Sequence, residues 1–381
     1  MSCTFSPPNS TSLIEHECTF KDIINKEFAK GRYLGPFTRS EIEANLGPFQ
    51  TSPLSLVPKP GKPSKYHLIQ NLSFPLNPSP TPSINSLVIP DNFPSFYSTF
   101  SIVALILSSL PPGSQGAVCD VAEAYRTIPL HPSQWHALVV RISESEFAID
   151  SSTCFGFGPS GSLYSNVGNA GADIMRFVGI GPILRWVDDH LFIQIPKSHL
   201  SKYNCHRADT ARHITSVGGL RAKGGRVWFA GAPLPDDQIE EYNNDHAFPL
   251  HDLSPSSPRS PTDQGFCYNI DDIDRISTDL GIPWETSKDI PFSDQPTFIG
   301  LTWDLTNRTV RLAKSKHVKY LNAILEWNLR CTHTLNDTQK LLGKLTHTAT
   351  VFPKGRPYPI NLKAMLTMFG DKPFLPRTPP M

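Results

Sequence analysis

The sequence predicts an α+β fold that divides into roughly two or three lobes. Short apolar and β-branched segments of strand length recur in pairs, separated by turn-forming residues, as in antiparallel hairpins. Longer segments with helical spacing of apolar residues lie between them. The 381 residues include 37 prolines, about twice the usual share. This proline content indicates many irregular connections and argues against a helical bundle.

Charge is distributed unevenly along the chain, although the formal net charge is only +1. Residues 231–295 contain fourteen Asp or Glu and three Lys or Arg, which leaves a formal charge of +12 on the remainder. This pattern is compatible with a basic body that carries an acidic, Pro- and Ser-rich insertion. A solvated surface of mixed charge is the alternative. The segment has few apolar runs, so we expect it to be largely irregular.

The cysteines and the apolar runs indicate the compartment. Seven cysteines are scattered without any CxxC spacing, which fits a reducing environment better than a disulfide framework or a thiolate zinc site. The longest apolar run is far too short to span a bilayer, and no secretory signal is visible. We therefore expect an intracellular protein without a membrane partner. The sequence does not distinguish nucleus from cytoplasm.

The first predicted hairpin pairs strands at Leu54–Lys59 and Tyr66–Leu72 through a turn at Pro60-Gly61. Three lysines surround the turn, among them Lys65, and His67 lies one strand step beyond. Point charges on a turn suit phosphate binding. Lysines at a solvated turn more often serve only solubility.

Other elements follow from the same spacing rules. Helices are predicted at Ile14–Arg32, from Ser40, at Phe96–Leu110, Leu163–Val178, Leu200–Ser216, Lys314–Leu329 and Leu335–Thr348, and strands at Gly116–Cys119, Ala137–Ile142, Glu146–Asp150, Arg226–Ala230, Phe298–Asp304 and Thr309–Leu312.

Two segments place polar or flexible residues beside predicted strand ends. Asp120 ends an apolar strand, and Tyr125 follows within two helical turns, so both could face the same space. A helix cap or a turn is the ordinary role for such an aspartate. Phe155 and Gly156 open a Gly-rich turn before a helix, which can bring backbone close to a nucleotide. This turn matches neither the P-loop nor the dinucleotide fingerprint.

The stretch Arg185–Ile193 carries two adjacent carboxylates, Asp188 and Asp189, between apolar strand-like segments. β-Branched and aromatic residues favour strands whereas Asp favours turns, so the stretch predicts a hairpin with the aspartates at or beside its turn. Side chains of neighbouring strand residues point to opposite faces, and only a turn lets both carboxylates approach one point. Held together, they would repel each other unless a cation shared the site. An acidic turn in solvent is the alternative.

With Asp120, the two hairpin aspartates would form an oxygen-ligand site suited to Mg²⁺ or Mn²⁺. Two such cations about 3.5–4 Å apart can activate an attacking oxygen and stabilise the leaving oxygen in phosphoryl transfer. Polymerases and nucleases share this chemistry.

The order of these segments resembles that of a reverse transcriptase from about Ser55 to about Thr348. It is most similar to the reverse transcriptases of DIRS-type retrotransposons, elements that carry a tyrosine recombinase. The motifs that carry the resemblance are VPKPGKPSKYHLIQNLSFP (57–75), VCDVAEAYRTIPLHP (118–132), CFGFGPSGSLYSNVGNAGADIMR (154–176), WVDDHLF (186–192) and FIGLTWD (298–304).

The resemblance implies a right-hand polymerase fold with fingers, a palm whose antiparallel sheet is backed by helices, and a partial thumb. The implied division is an N-terminal extension (1–50), fingers (51–115), palm (116–230, with fingers strands near 137–150), the acidic insertion (231–295), a primer-grip hairpin with thumb or connection helices (296–350) and a C-terminal tail (351–381).

The resemblance also implies roles for individual residues. Asp120, Asp188 and Asp189 would be the catalytic aspartates that bind two Mg²⁺ or Mn²⁺ ions, and the backbone carbonyl of Val121 would be a further metal ligand. Tyr125 would be the steric gate against the ribose 2′-hydroxyl. These roles imply selection of dNTPs over NTPs.

The remaining implied contacts are to the nucleotide. Phe155 and Gly156 would pack near the incoming nucleotide and the template, and Lys65 and His67 lie in the fingers strand that meets the triphosphate. His67 stands where the family usually has Arg. Neutral His offers one donor in place of a bidentate fork.

The implied activity is RNA-directed DNA polymerisation, with an RNA or DNA template-primer and dNTPs as partners and other retroelement proteins as further ones. A catalytically decayed relic that binds nucleic acid without polymerising is the alternative, and an unrelated two-metal nuclease is a third.

Overall fold

The computed structural model describes residues 3–59, 65–76, 79–216, 220–221, 227–233, 239–242, 244–370 and 372–380. In chain order the elements are α1 (Ser12–Glu15), α2 (Glu17–Ala29), β1 (Tyr33–Phe37), α3 (Arg39–Leu46), β2 (Leu54–Pro58), β3 (Tyr66–Gln70), α4 (Phe100–Ser108), β4 (Gln115–Asp120), β5 (Val139–Arg141), β6 (Phe147–Asp150), α5 (Ser160–Phe177), β7 (Ile183–Trp186), β8 (Asp189–Gln194), α6 (Leu200–Ser216), β9 (Leu220–Arg221), β10 (Val227–Pro233), β11 (Ile239–Tyr242), α7 (Ile270–Asp279), β12 (Ile290–Ser293), β13 (Thr297–Phe298), β14 (Leu301–Asp304), β15 (Thr309–Leu312), α8 (Lys314–Asn328), α9 (Leu335–Val351) and α10 (Ile360–Thr367). The α+β composition is as predicted.

The chain divides into two compact units. The first comprises Met1–Tyr97 and Val121–Gly171, and the second comprises Ser98–Asp120 and Ala172–Met381. The predicted six-part division into extension, fingers, palm, insertion, thumb and tail stays a prediction.

The first unit contains a three-stranded antiparallel sheet in the order β1-β6-β5 and the β2–β3 hairpin. The predicted strands of this unit are present, and the predicted turn at Pro60-Gly61 lies outside the described residues. Strand β1 was not predicted, because Gly35 and Pro36 interrupt its alternation. Helix α2 buries Phe20 and Ile24, which lie four residues apart, in the same core as Val140 and Ala148.

The second unit is built on an antiparallel four-stranded sheet in the order β12-β4-β8-β7, hereafter the central sheet. Its core includes Phe192 and Ile193 from β8 together with Ile102 and Ile106 from α4. Met175 from α5 joins the same core. Strand β8 pairs with both β4 and β7. Its register therefore determines which residues of β4 and β7 lie beside each other at the end of the sheet.

The acidic segment contributes structure to the second unit. The range 231–295, expected to be largely irregular, nevertheless contains α7 and the fourth strand of the central sheet, β12, which were not predicted. Helix α7 begins at a capping box formed by Asn269 and Asp272, and it buries Ile273 and Ile276 at helical spacing. Acidic residues on the exposed face hid this amphipathic pattern in the composition of the segment.

Two smaller antiparallel sheets complete the strands of this unit. They are ordered β11-β10-β9 and β13-β14-β15. The predicted strand Phe298–Asp304 is present in two pieces, because Ile299 and Gly300 both adopt positive φ. Helices α6, α8 and α9 match their predictions closely, whereas α10 in the Pro-rich tail was not predicted. In the described part of the chain, no helix combines the length and the apolar character needed to cross a bilayer.

A buried ionic cluster joins the acidic segment to helices α5 and α6. The carboxylate of Asp245 accepts hydrogen bonds from Nε of Arg176 at 2.8 Å and from Nη1 of Arg207 at 2.9 Å. It also accepts one from the backbone N–H of Ile183 at the start of β7, at 3.0 Å. Although burial opposes ionisation, the guanidinium groups of Arg207 and Arg176 hold the pKa of Asp245 well below its ordinary value.

We expect Asp245→Asn to lower the free energy of unfolding by about 3–5 kcal/mol, because it leaves the buried guanidinium group of Arg207 without its counter-charge and weakens the pairing of Arg176. Chemical denaturation at pH 7 measures the loss. The matched control is Asp209→Asn, since Asp209 pairs with Arg212 on the exposed face of α6, and we expect it to change stability by less than about 1 kcal/mol. Equal effects of the two substitutions would contradict the structural role of the cluster.

Candidate active site

The three aspartates predicted as a site lie at one end of the central sheet. Asp120, the last residue of β4, is directly paired with Asp189, the first residue of β8. Asp189 is also paired with Trp186 of β7, so Val187 and Asp188 form the two-residue turn of the β7–β8 hairpin. The predicted hairpin is therefore present, with one aspartate in its turn and the other beside it.

The turn of this hairpin has an unusual backbone that neighbouring side chains hold. Val187 has a φ of 52°, a left-handed conformation that is rare for a β-branched residue. The guanidinium Nη1 of Arg185 donates to the carbonyl of Val187 at 2.6 Å. Nδ1 of His190 lies 3.1 Å from the carbonyl of Asp188. Hydrogen bonds to two successive carbonyls thus fix the backbone of the turn.

His190 is a supporting residue of the turn. Burial, followed by the charge of Arg185, lowers the pKa of His190 to about 3, so the ring is neutral at pH 7. Its ring packs against the indole of Trp284, with the centroids 5.3 Å apart. A neutral ring protonated at Nδ1 donates to the Asp188 carbonyl without adding positive charge beside the aspartates.

The pKa values of Asp188 and Asp189 are both raised. Burial raises the pKa of Asp188, and the charge of Asp120 adds to the shift. Burial and the charges of Asp188 and Asp120 raise the pKa of Asp189 from its ordinary value of 3.8 to about 7. The site therefore gathers more negative charge than its surroundings neutralise, which is the condition that favours a cation.

Lys288 supplies part of the positive charge that the site lacks. Its Nζ lies 2.6 Å from Oδ1 of Asp120, and it ends the single turn Thr286–Lys288 that precedes β12. The carbonyl of Asp120 accepts a hydrogen bond from the backbone N–H of Glu285 at 2.8 Å, which anchors this turn to the end of β4. Sequence reasoning missed Lys288. Its signal was that it is one of three basic residues in the acidic segment.

The side chains do not form a finished metal site. Within the described ranges, no group of three or more His, Cys, Asp or Glu side chains is arranged to hold a metal ion. The carboxylate oxygens of the aspartates are nevertheless the ligand type that Mg²⁺ and Mn²⁺ prefer. These oxygen donors fit such an ion. The ammonium group of Lys288 would have to move away from Oδ1 of Asp120 before the ion could bind that oxygen.

The first unit gathers the aromatic residues predicted to meet the nucleotide. Tyr125 lies in the single turn Ala124–Thr127, and its ring centroid is 5.2 Å from that of Phe155. The Phe155 ring is 42% exposed and lies 5.9 Å from the ring of His67 on β3. Tyr125, Phe155 and His67 thus form one continuous aromatic surface.

Gly156 is required by the backbone beside this surface. It has a φ of 107°, and a Cβ at this position would collide with the carbonyl oxygen of Gln70 at the end of β3. No other residue type combines this conformation with that approach. Gly156 therefore fixes how closely the Phe155 turn packs against β3.

His67 and Lys65 differ in charge. Burial, with the nearby charge of Lys59, lowers the pKa of His67 below its ordinary value, so the ring is neutral at pH 7. Lys65 is exposed immediately before β3. Val121 follows Asp120 in the chain and is buried in the first unit. The catalytic, metal-binding and nucleotide-binding roles of all these residues stay predictions.

Comparison with known proteins rests on structure alone, since no protein-family model and no curated protein matches the chain. A solved foamy viral protease-reverse transcriptase dRH in complex with ds DNA matches with a TM-score of 0.55 and 13% identity, over 96% of this chain and 46% of that one. The foamy viral protease-reverse transcriptase in complex with RNA/DNA hybrid matches with a TM-score of 0.53 and 12% identity, over 95% and 35%. The chain has a reverse transcriptase-like fold.

This reverse transcriptase-like chain spans half or less of the solved chains that it matches. A third match, the foamy viral enzyme in complex with dsDNA, has a TM-score of 0.51 and 13% identity and covers 91% of this chain and 50% of that one. At such identities the similarity concerns the fold.

We expect Asp189→Asn to raise the melting temperature at pH 8 by roughly 2–4 °C, the shift that about 1 kcal/mol produces in a domain of about 200 residues. The folded protein holds the Asp189 proton up to a pKa of about 7, whereas the ordinary value is 3.8. Stability is therefore lost as the pH rises through this window, and the amide removes that loss. Thermal melts at pH 8 and pH 5 measure it.

At pH 5 the unfolded chain has already released this proton while the folded protein keeps it, so only part of the loss has developed. The substitution should therefore raise the melting temperature less at pH 5 than at pH 8. The control is Asp279→Asn at the exposed end of α7, which should change neither melt. Equal shifts at pH 5 and pH 8 would show that charge repulsion among the aspartates is not the cause.

Proposed function

We propose that this chain is a reverse transcriptase-like nucleotidyltransferase that extends a primer on an RNA or DNA template with dNTPs. The observation that carries the proposal is the convergence of Asp120, Asp188 and Asp189 at one end of the central sheet within a reverse transcriptase-like fold. The matching solved proteins are complexes with ds DNA or RNA/DNA hybrid, which supports a nucleic-acid partner.

On this proposal, Asp120, Asp188 and Asp189 hold two Mg²⁺ or Mn²⁺ ions, and the carbonyl of Val121 is a further ligand. Two bound divalent cations would activate the 3′-hydroxyl of the primer and stabilise the leaving oxygen of the dNTP. The hydrogen bonds of Arg185 and His190 to the Val187–Asp188 turn would hold the backbone that carries Asp188.

The first unit would bind the incoming nucleotide. The ring of Tyr125 would exclude the 2′-hydroxyl of a ribonucleotide by collision, which gives selection of dNTPs. Phe155 would offer a face for stacking, and Gly156 keeps the turn that carries it close to β3. Lys65 would contact the triphosphate, whereas neutral His67 would donate one hydrogen bond.

We also propose the finer assignments that the motifs suggest. The β2–β3 hairpin would belong to the fingers, the central sheet to the palm, the β13–β15 sheet to the primer grip, and helices α8 and α9 to the thumb. The motifs favour a DIRS-type retrotransposon origin.

Primer extension tests the proposal. Purified protein with Mg²⁺ and dNTPs should extend a DNA primer on RNA and DNA templates. The Asp188→Asn, Asp189→Asn double variant should reduce extension by about a hundredfold or more, because electrostatic stabilisation is usually the largest contribution to catalysis. The control is the Asp274→Asn, Asp279→Asn double variant on the exposed face of α7, which removes the same charge elsewhere and should keep full activity.

Each result has a distinct meaning. Extension that survives in the Asp188, Asp189 double variant would overturn the assignment of the site. Wild-type protein that binds primer-template but does not extend it, with either metal, would indicate a decayed relic. Cleavage of the template without extension would indicate a nuclease.

We further expect Lys288→Met to tighten Mn²⁺ binding about tenfold, because the ammonium group 2.6 Å from Oδ1 of Asp120 competes with a divalent cation for that oxygen. A tenfold change corresponds to about 1.4 kcal/mol. This is less than the Coulomb energy of about 4 kcal/mol for two charges near a protein surface, because solvent screens the half-exposed ammonium group. Electron paramagnetic resonance of free Mn²⁺ measures the affinity. The control is Lys340→Met on α9, and unchanged or weaker binding in Lys288→Met would refute the competition.

A further inference from the structure

The turn that carries Tyr125 has little structure of its own to hold it. It is a single turn, Ala124–Thr127, outside any sheet, and isolated turns of this kind are weakly stable. The residue that precedes it, Glu123, has a φ of 49° in the left-handed region. Such a conformation persists only where surrounding contacts impose it.

Arg126 connects this turn to the buried end of β6. Its guanidinium Nη1 donates to Oδ1 and Oδ2 of Asp150 at 2.9 and 2.8 Å, and to the carbonyl of Thr153 at 2.9 Å. The hydroxyl of Thr153 donates in turn to the carbonyl of Tyr125. The backbone of Tyr125 is therefore bound to the same segment that Arg126 holds.

The second anchor of Arg126 is helix α2. Nη2 of Arg126 donates to Oε2 of Glu27 at 2.7 Å, and both side chains are largely buried. The ring of Tyr33 at the start of β1 lies 5.8 Å from the Arg126 guanidinium. An arginine is needed here because only its planar fork reaches acceptors on several sides at once.

A second, more exposed set of contacts reaches Glu123 from the same region. Nζ of Lys30 and Nη1 of Arg32 donate to Oε2 of Glu123 at 2.6 and 2.8 Å. Ion pairs at the surface contribute little, whereas buried charge pairs hold their partners firmly. The Glu27–Arg126–Asp150 cluster therefore contributes most to holding the Ala124–Thr127 turn in place.

We propose that Glu27 and Arg126 are positioning residues for Tyr125, so that helix α2 sets the place of the tyrosine ring and with it the discrimination between dNTPs and NTPs. This inference rests on the proposed function. To exclude one hydroxyl group by collision, the Tyr125 ring must be placed to within a fraction of an atomic diameter. A turn of four residues is held that closely only by contacts with its surroundings, and here the buried ion pairs of Arg126 provide them.

The test compares Glu27→Gln with Tyr125→Ala and with the variant that carries both. Glu27→Gln keeps the shape of the side chain and removes one of the two carboxylate charges that hold Arg126, together with the longer pair of Glu27 with Arg32. We expect it to lower the ratio of kcat/KM for dNTP to that for NTP about tenfold, corresponding to about 1.4 kcal/mol. In the Tyr125→Ala background it should change the ratio no further, because the two residues act as one unit.

The matched control is Glu17→Gln on the same helix, whose pair with Lys21 is exposed; it should leave the ratio unchanged. Hydrogen exchange provides a readout that does not depend on catalysis. The amides of residues 123–128 should exchange faster in Glu27→Gln than in wild type, and at the wild-type rate in Glu17→Gln. Arg126→Lys should repeat the effect of Glu27→Gln, because one ammonium cannot replace the guanidinium contacts.

The outcomes separate the two proposals. If Tyr125→Ala leaves the ratio unchanged, the proposed role of Tyr125 is overturned. If the wild-type protein does not extend a primer, the proposed function as a whole is overturned. If Tyr125→Ala lowers the ratio but Glu27→Gln changes neither the ratio nor the exchange of residues 123–128, the positioning role is overturned alone. An additive effect of the two substitutions would overturn it as well.

Discussion

The pairing of β4 with β8 places Asp120 opposite Asp189, and the candidate active site depends on this register. A shift by one residue would turn every side chain of one strand to the other face and separate the carboxylates. The register is fixed because the faces of β8 are buried, with Leu191, Phe192 and Ile193 in the core. Hydrophobic packing thus imposes a proximity of like charges that electrostatics alone opposes.

The hairpin turn and the segment around Lys288 both make contacts that accommodate the carboxylates of Asp120 and Asp189 side by side. Val187 takes a left-handed conformation that costs about 1–2 kcal/mol, and hydrogen bonds from Arg185 and His190 hold the two carbonyls of the turn. Lys288 brings an ammonium group to Asp120. The turn that carries Asp188 is therefore held by two side chains, whereas the counter-charge of Asp120 is carried by a half-exposed lysine.

The elements that the sequence predicted well share one property. The β7–β8 hairpin, β4 and helices α6, α8 and α9 each contain a local signal, either β-branched runs beside turn formers or apolar residues at helical spacing. The pairing of Asp120 with Asp189 and the position of Tyr125 near Phe155 are long-range contacts. The chemistry of three carboxylates at strand ends suggested the first, whereas the second was anticipated only through the resemblance of five ordered motifs.

The elements that were missed had signals hidden by composition or by distance in sequence. Helix α7 and β12 lie in a segment whose acidic residues obscure the spacing of Ile273 and Ile276. Lys288 lies 168 residues from Asp120, and Arg126 lies 99 residues from Glu27. No periodicity joins such pairs, because an ion pair across a fold leaves no pattern in the local sequence.

The position of His67 beside Phe155 shows what changes when a histidine stands where the family usually has an arginine. A guanidinium at this position would add a permanent charge next to Lys59, whereas His67 is buried enough, and close enough to Lys59, for its pKa to fall below its ordinary value. The neutral ring extends the aromatic surface formed by Phe155 and Tyr125. In the proposed enzyme, this surface would therefore bind a nucleotide more through stacking and less through charge, and attraction of the triphosphate would fall to lysines such as Lys65. Binding of this kind depends less on salt, since screening weakens charge contacts far more than stacking.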